Sequence, residues 1–126
     1  MPITFIICRD DGYIISKYEG KLSDEDLLDA YKVFYQGDDW RPGLNELVDL
    51  SQAEVSEITT DCVRRLALYV ESVFRAQGIS SAKTAVYAPK DLPFGLSSVY
   101  SAYASESPEN VRVFRDLFEA KEWLKE

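Results

Sequence analysis

The alternation of apolar and polar residues predicts a β-hairpin at the start of the chain. Residues 3–8 and 13–20 form two largely apolar runs on either side of Arg9-Asp10-Asp11-Gly12. An Asp-Gly pair between two such runs is a strong short-range signal for a hairpin turn. Both faces of the predicted hairpin carry apolar side chains, so neither face is expected to be fully exposed to water.

Apolar residues that recur every three or four positions predict helices after the hairpin. The first helix has Ser23 as its N-cap, three acidic residues in its first turn and Gly37 at its end. The longest helix covers about residues 61–77, and either Thr59 or Thr60 can cap it. Its apolar side chains fall on one face, which is typical of a helix that packs against a sheet.

Short β-compatible segments alternate with these helices, at residues 44–50, 83–88 and 111–114. A third helix begins at Asp91 or Pro93, and a fourth follows Asp116, whose spacing to Glu119 fits a capping box. The resulting order is ββαβαβαβα. It predicts an α/β fold with two layers, in which about four helices pack on a mixed five-stranded sheet with an N-terminal hairpin. A length of 126 residues fits one such domain, residues 1–126.

Charge and residue inventory exclude several classes of function. The chain has 14 Lys and Arg against 22 Asp and Glu, a net charge of −8, which disfavours binding to nucleic acid. It has no histidine, and therefore lacks the most common general base and zinc ligand. No glycine-rich phosphate loop and no G-x-S-x-G motif occur. The sequence predicts a protein that is not an enzyme and uses no metal or cofactor.

Two further expectations concern compartment and thiols. No apolar stretch approaches the ~18 residues of a membrane span, and the N-terminus lacks the basic and apolar regions of a signal peptide. We therefore expect a cytoplasmic protein without stable membrane insertion. Cys8 and Cys62 are predicted to be free thiols among apolar neighbours. A catalytic Cys62 would benefit from the first turn of a helix, but the chain offers it no histidine partner.

The order of elements and four local sequences together resemble a known family. The four sequences are YEGKLS at residues 18–23, LVDLS at 47–51, KTAVY at 83–87 and VRVFRDLFEAKEWL at 111–124. The chain resembles the STAS fold of anti-sigma-factor antagonists and sulfate-transporter cytoplasmic domains. Within it, the chain is most similar to stand-alone bacterial SpoIIAA-like proteins, which are also grouped with CRAL-TRIO lipid-binding domains. The resemblance implies a STAS-like fold, no enzymatic activity, a cytoplasmic location and often a homodimer.

In signalling members of this family, a serine at the start of the helix after the third strand is phosphorylated. That site usually reads Asp-Ser-Ser-Gly. Here Asp49-Leu50-Ser51 matches the end of the strand, but the following segment contains Ser56, Thr59 and Thr60 without that motif. We therefore predict that these three residues lead into the helix and do not form a phosphorylation switch.

Aromatic residues make up 13% of the chain and include eight tyrosines. They can simply fill the core, or they can line a pocket for a small amphipathic ligand or present a surface to a protein partner. The residues of the candidate pocket between the first and third helices are Tyr31, Phe34, Tyr35, Phe94, Tyr100 and Tyr103. The primary prediction is a non-catalytic binding or regulatory module. The alternative is a small lipid- or metabolite-binding protein that uses this pocket.

The apolar side chains on both faces of the hairpin also point to a homo-oligomer. If the helices cover one face of the sheet, something else must cover the apolar side chains on the other face. Helices late in the chain can do so, or a second copy can, because two-fold dimers are the most common homo-oligomers. The predicted homodimer interface consists of Ile6, Cys8, Tyr13 and Ile15.

Overall fold

The computed structural model describes residues 2–126, in which five strands alternate with four helices. The strands are β1 (Ile3–Cys8), β2 (Tyr13–Lys21), β3 (Asn45–Glu54), β4 (Ala82–Tyr87) and β5 (Glu109–Phe114). The helices are α1 (Asp24–Gln36), α2 (Thr60–Ala76), α3 (Asp91–Tyr103) and α4 (Leu117–Lys125). The order ββαβαβαβα that the sequence predicts is confirmed.

The five strands form one mixed sheet in the order β1-β2-β3-β4-β5. β1 and β2 are antiparallel, and every later neighbour pair is parallel. The hairpin turn closes with a hydrogen bond from the backbone N–H of Gly12 to the carbonyl of Cys8, at 3.0 Å. Gly12 has φ of 74°, a left-handed conformation that glycine adopts without steric cost. The predicted mixed sheet with an antiparallel N-terminal hairpin is therefore confirmed.

Two strands extend beyond their predicted limits because they gain partners in the sheet. The segment 51–54 of β3 is polar, but it pairs with the end of β2 through Gln52, Ala53 and Glu54. β5 begins at Glu109, two residues before the predicted start at residue 111, because Glu109 already pairs with Ala82 at the start of β4. Strand pairing, which is not visible in the local pattern, sets these boundaries.

Side-chain caps begin three of the helices. Ser23 and Asp26 form a capping box at α1, in which each side chain accepts a hydrogen bond from the other residue's backbone N–H. Thr59 caps α2 by accepting from the N–H of Cys62 at 3.1 Å, and Asp116 caps α4. The caps predicted at Ser23 and Asp116 are confirmed, and Thr59 rather than Thr60 caps α2.

The helices occupy both faces of the sheet. α1, α2 and α3 pack on the face that carries Ile14, Val48 and Val86. α4 lies on the opposite face, where its Trp123 packs in a second cluster with Leu47. The expectation that all helices form a single layer is corrected in this respect. α4 belongs to this face because its Ala120, Trp123 and Leu124 are buried in the second cluster, which also contains Leu47 and Phe114.

Within residues 2–126, none of the helices combines the length and the apolarity that crossing a bilayer requires.

Candidate functional site

A cavity of about 80 Å³ lies between the sheet and the helices α1, α2 and α3. Apolar side chains form most of its wall, including Leu66, Val70 and Val86. The polar side chains that line it are Tyr18, Tyr31, Tyr35, Glu46, Thr84, Ser97, Tyr100 and Glu109. The cavity is therefore an apolar space into which a few hydroxyl and carboxyl groups converge, which is the usual character of a small-molecule site.

Glu46, on β3, is the centre of the first polar cluster. Its Oε2 accepts hydrogen bonds from the hydroxyl of Ser16 at 2.5 Å and from the hydroxyl of Tyr31 at 2.7 Å. The hydroxyl of Tyr31 also lies 2.6 Å from that of Tyr18. Strands β2 and β3 and helix α1 thus hold one buried carboxyl group in place.

Glu109, at the start of β5, is the centre of the second cluster. Its Oε2 accepts a hydrogen bond from Thr84 at 2.7 Å, and its Oε1 accepts one from the hydroxyl of Tyr100 at 2.6 Å. Thr84 is also the register partner of Glu46 across the β3–β4 ladder. The two clusters are therefore adjacent, on the same face of the sheet.

Burial changes the acidity of these groups. Burial raises the pKa of Glu109 to about 7, against the opposing effect of the hydrogen bonds from Tyr100 and Thr84, and the charge of Glu46 raises it further. Burial also raises the pKa of Glu46, although the hydrogen bonds from Ser16 and Tyr31 oppose this change. The site therefore contains two coupled carboxyl groups, and at least Glu109 exchanges its proton near neutral pH.

The tyrosines of the site remain hydrogen-bond donors at neutral pH. Burial, followed by the negative charge of Glu46, raises the pKa of Tyr31 well above its usual value. Burial and the charge of Glu109 do the same for the pKa of Tyr100. Both hydroxyl groups thus stay protonated and can hold the carboxyl groups in a fixed orientation.

The structure brings three of the six candidate pocket residues to the cavity. Tyr31, Tyr35 and Tyr100 line it. The other three, Phe34, Phe94 and Tyr103, are not among the residues lining the cavity. Phe34 stacks on Phe5 with ring centroids 4.1 Å apart, the ring of Phe94 lies 4.3 Å from the guanidinium carbon of Arg115, and Tyr103 is exposed.

Neither Glu46 nor Glu109 is among the site residues predicted from the sequence, although the pattern around Glu46 contains a detectable signal. Glu46 is in phase with Val48 and Leu50, so strand alternation places a charged side chain on the buried face. Ser16 likewise lies on the buried face of β2, in phase with Ile14 and Tyr18. Glu109 had no such signal, because it follows Pro108 in a segment that looks like a turn.

Ser56, Thr59 and Thr60 take part in the hydrogen bonds and the helix start that lead into α2. The backbone N–H and the hydroxyl of Thr59 both donate to the carboxylate of Asp24, at 2.9 and 2.8 Å. Thr60 is the first residue of α2, and Ser56 donates to Glu54 at 3.3 Å. A phosphate on Thr59 would displace its hydrogen bond and place like charges next to Asp24. This geometry supports the prediction that these residues lead into the helix.

The thiol of Cys62 has an environment that suppresses its reactivity. The residue is buried at the start of α2. Burial, with a further contribution from the charge of Asp24, raises the pKa of the thiol to about 12. The thiolate is the nucleophilic form of cysteine, so Cys62 remains a protonated and unreactive thiol at neutral pH.

The four residues of the predicted dimer interface share the face of the sheet on which α4 packs. Tyr13 is buried in the second core cluster, and Ile15 packs against that cluster. Cys8 is half-buried, while Ile6 is 46% exposed. α4 packs against β3, β4 and β5, so it does not cover the part of this face that β1 forms.

Metal-binding groups do not cluster in the part of the chain that the structure describes. No group of three or more potential Cys, His, Asp or Glu ligands occurs in residues 2–126.

A sheet in sequential strand order, antiparallel only at its N-terminal hairpin and covered on one face by α1 to α3, is a SpoIIAA-like fold. The chain is similar to the crystal structure of an uncharacterized protein of the DUF3478 family with a SpoIIAA-like fold from Shewanella loihica PV-4. The two are 21% identical, with a TM-score of 0.60 over 97% of this chain and 91% of that chain. The SpoIIAA-like fold that the sequence resemblance implies is confirmed. No protein-family model matches the chain, and no curated protein matches it.

Proposed function

We propose that this chain is a non-catalytic binding module, and that its interior cavity takes a small ligand with an apolar body and one polar group. The observation that carries the proposal is the convergence of Glu46, Glu109, Tyr31 and Tyr100 on an otherwise apolar cavity. Polar groups held rigidly in an apolar wall fix the orientation of a ligand. A structural core of the same size would be more stable with apolar side chains at these positions.

The chemistry of the site favours binding over catalysis. Hydroxyl donors hold both carboxyl groups, and the buried thiol of Cys62 retains its proton at neutral pH. The chain has no histidine to activate a serine or threonine. The free thiols of Cys8 and Cys62 fit a reducing compartment, and we place the protein in the cytoplasm.

Filling the cavity tests the proposal. Ser97 is buried and lines the cavity, while the adjacent Ser98 on the same helix is exposed and bonds the carbonyl of Phe94. We expect Ser97→Leu to abolish ligand binding because the added side chain occupies the cavity. Ser98→Leu is the matched control and should bind as the wild type does.

Binding can be measured by methyl NMR with three probes of equal size: isopropylammonium, 2-propanol and acetate. Each has about four non-hydrogen atoms, which limits its binding free energy to about 6 kcal/mol, so titrations must reach millimolar concentrations. At least one probe should shift the methyl signals of Val70 and Val86 saturably in the wild type and in Ser98→Leu. If no probe shifts them, or if Ser97→Leu binds equally well, the proposed function is wrong.

We also propose that the protein forms a two-fold homodimer through β1. This strand is at the edge of the sheet and pairs only with β2 among the described strands. Its exposed Ile6, with Cys8 and Ile15 beside it, leaves apolar surface next to unpaired backbone groups. An open edge strand of this kind is a natural site for pairing with a second copy.

The dimer predicts a mass near twice 14.3 kDa by light scattering at micromolar concentration. Ile6→Glu should shift the protein towards the monomer, because it buries a charge in the interface. Val33→Glu is the control: Val33 is also an exposed apolar residue, but it lies on α1. A wild-type mass of one chain at every concentration would exclude the dimer.

A further inference from the structure

The cavity contains two buried carboxyl groups without any positive charge beside them. Glu46 and Glu109 are only 9% and 4% exposed. Among the described residues that line the cavity, none is a lysine or an arginine. The ion pairs found in residues 2–126 all involve other acidic side chains, close to the protein surface. An ionised carboxyl group is costly to bury unless a cation pairs with it, so the cavity favours a positively charged occupant.

The remaining wall of the cavity also suits an organic cation. The aromatic residues Tyr31, Tyr35 and Tyr100 line the space, and aromatic rings attract ammonium groups. Leu66, Val70 and other apolar side chains form the rest of the wall and can contact an alkyl body. The hydroxyl groups of Tyr31 and Tyr100 hold the carboxyl groups through hydrogen bonds of 2.7 and 2.6 Å. A ligand therefore meets carboxyl groups whose positions are already set.

We infer that the cavity binds a small alkylammonium ion, whose nitrogen pairs with the carboxylates of Glu109 and Glu46 while its alkyl body packs among the apolar side chains. The inference rests on the proposed function and adds the charge and the size of the ligand. A cavity of ~150 Å³ holds one benzene molecule. The cavity here is about 80 Å³, so it fits an ammonium group with a short alkyl chain.

The same cavity would select a different ligand if its carboxyl groups stayed protonated. A protonated glutamate offers an O–H donor, and a neutral alcohol would then be the better partner. The two alternatives predict opposite rankings of isopropylammonium and 2-propanol, which have nearly the same shape. Comparing these two probes therefore separates the effect of the ligand's charge on binding from the effect of its size and shape.

The test is a methyl NMR titration of the full chain at about pH 8.5, where an alkylamine is still protonated. We expect isopropylammonium to bind at least about tenfold more tightly than 2-propanol, and acetate to bind least. Glu109→Gln should reduce that preference to within about threefold, and Glu46→Gln should also weaken it. Glu106→Gln, which changes an exposed carboxylate just before the start of β5, should leave the preference unchanged.

The outcomes separate this inference from the proposed function. If 2-propanol binds as tightly as isopropylammonium, or if the preference survives in both Glu109→Gln and Glu46→Gln, the inferred charge is wrong, while the cavity is still a binding site. If none of the probes shifts the methyl signals of the cavity, both the inference and the proposed function are overturned.

Discussion

Trp123→Ala is expected to lower the free energy of unfolding by about 3–5 kcal/mol, the usual cost of truncating a buried tryptophan. Trp123 packs against Phe114 with ring centroids 5.8 Å apart, and the ammonium group of Lys83 lies 5.3 Å from its ring centroid. Lys83 also donates to the backbone carbonyls of Trp123 and Glu126, at 3.1 and 2.7 Å. The substitution therefore weakens the attachment of α4 and uncovers Leu47 on the sheet.

Chemical denaturation of the two variants Trp123→Ala and Phe118→Ala measures this effect. Phe118 lies on the same helix but is 68% exposed, so its replacement should change the stability by less than about 0.5 kcal/mol. Equal effects of the two substitutions would show that α4 does not contribute to a core through Trp123. A large loss confined to Trp123→Ala supports the placement of α4 on the second face of the sheet.

Glu109 is expected to make the protein less stable as the pH rises from about 4.5 to about 7. In the folded chain the pKa of this carboxyl group is raised from its ordinary 4.5 to about 7, chiefly by burial. Between these values the folded state retains a proton that the unfolded state has released, so raising the pH favours unfolding. The loss amounts to about 3 kcal/mol in total and is complete above the folded pKa.

Comparing the wild type with Glu109→Gln isolates this contribution from those of other acidic residues. Glu46, Tyr18, Tyr31, Tyr35 and Tyr100 are the other titratable groups that line the cavity, and all are present in both proteins. Without ligand, the variant should gain up to about 3 kcal/mol relative to the wild type on going from pH 4 to pH 8. Glu106→Gln should show no such gain. A constant difference between wild type and Glu109→Gln over this range would contradict the raised pKa.

Local chemistry made much of the fold predictable from the sequence. Ser23 and Asp116 are recognisable as caps because their hydrogen bonds are made within a single helical turn. The hairpin turn is equally local, since Gly12 adopts the left-handed backbone conformation that the turn between the two strands requires. Each of these elements depends on residues a few positions apart, which the sequence displays directly.

The location of α4 and the acidic site depend on contacts between distant residues, which the sequence does not display. The apolar stripe with Trp123 shows which side of α4 is buried, but not which face of the sheet it covers. Tyr100 donates to Glu109, whereas Tyr31 donates to Glu46. The pocket predicted from aromatic spacing therefore includes Tyr31, Tyr35 and Tyr100, but it lacks Tyr18 and the carboxyl groups that define the chemistry of the cavity.

The most direct test of the account is a crystal structure of the wild-type protein with isopropylammonium. The account predicts the ligand in the cavity between the sheet and α1 to α3, with its nitrogen within about 3 Å of a carboxylate oxygen of Glu109 or Glu46. Tyr100 and Tyr31 should retain their hydrogen bonds to these carboxylates. A ligand bound only at the surface, with the cavity closed by its own side chains, would contradict the account.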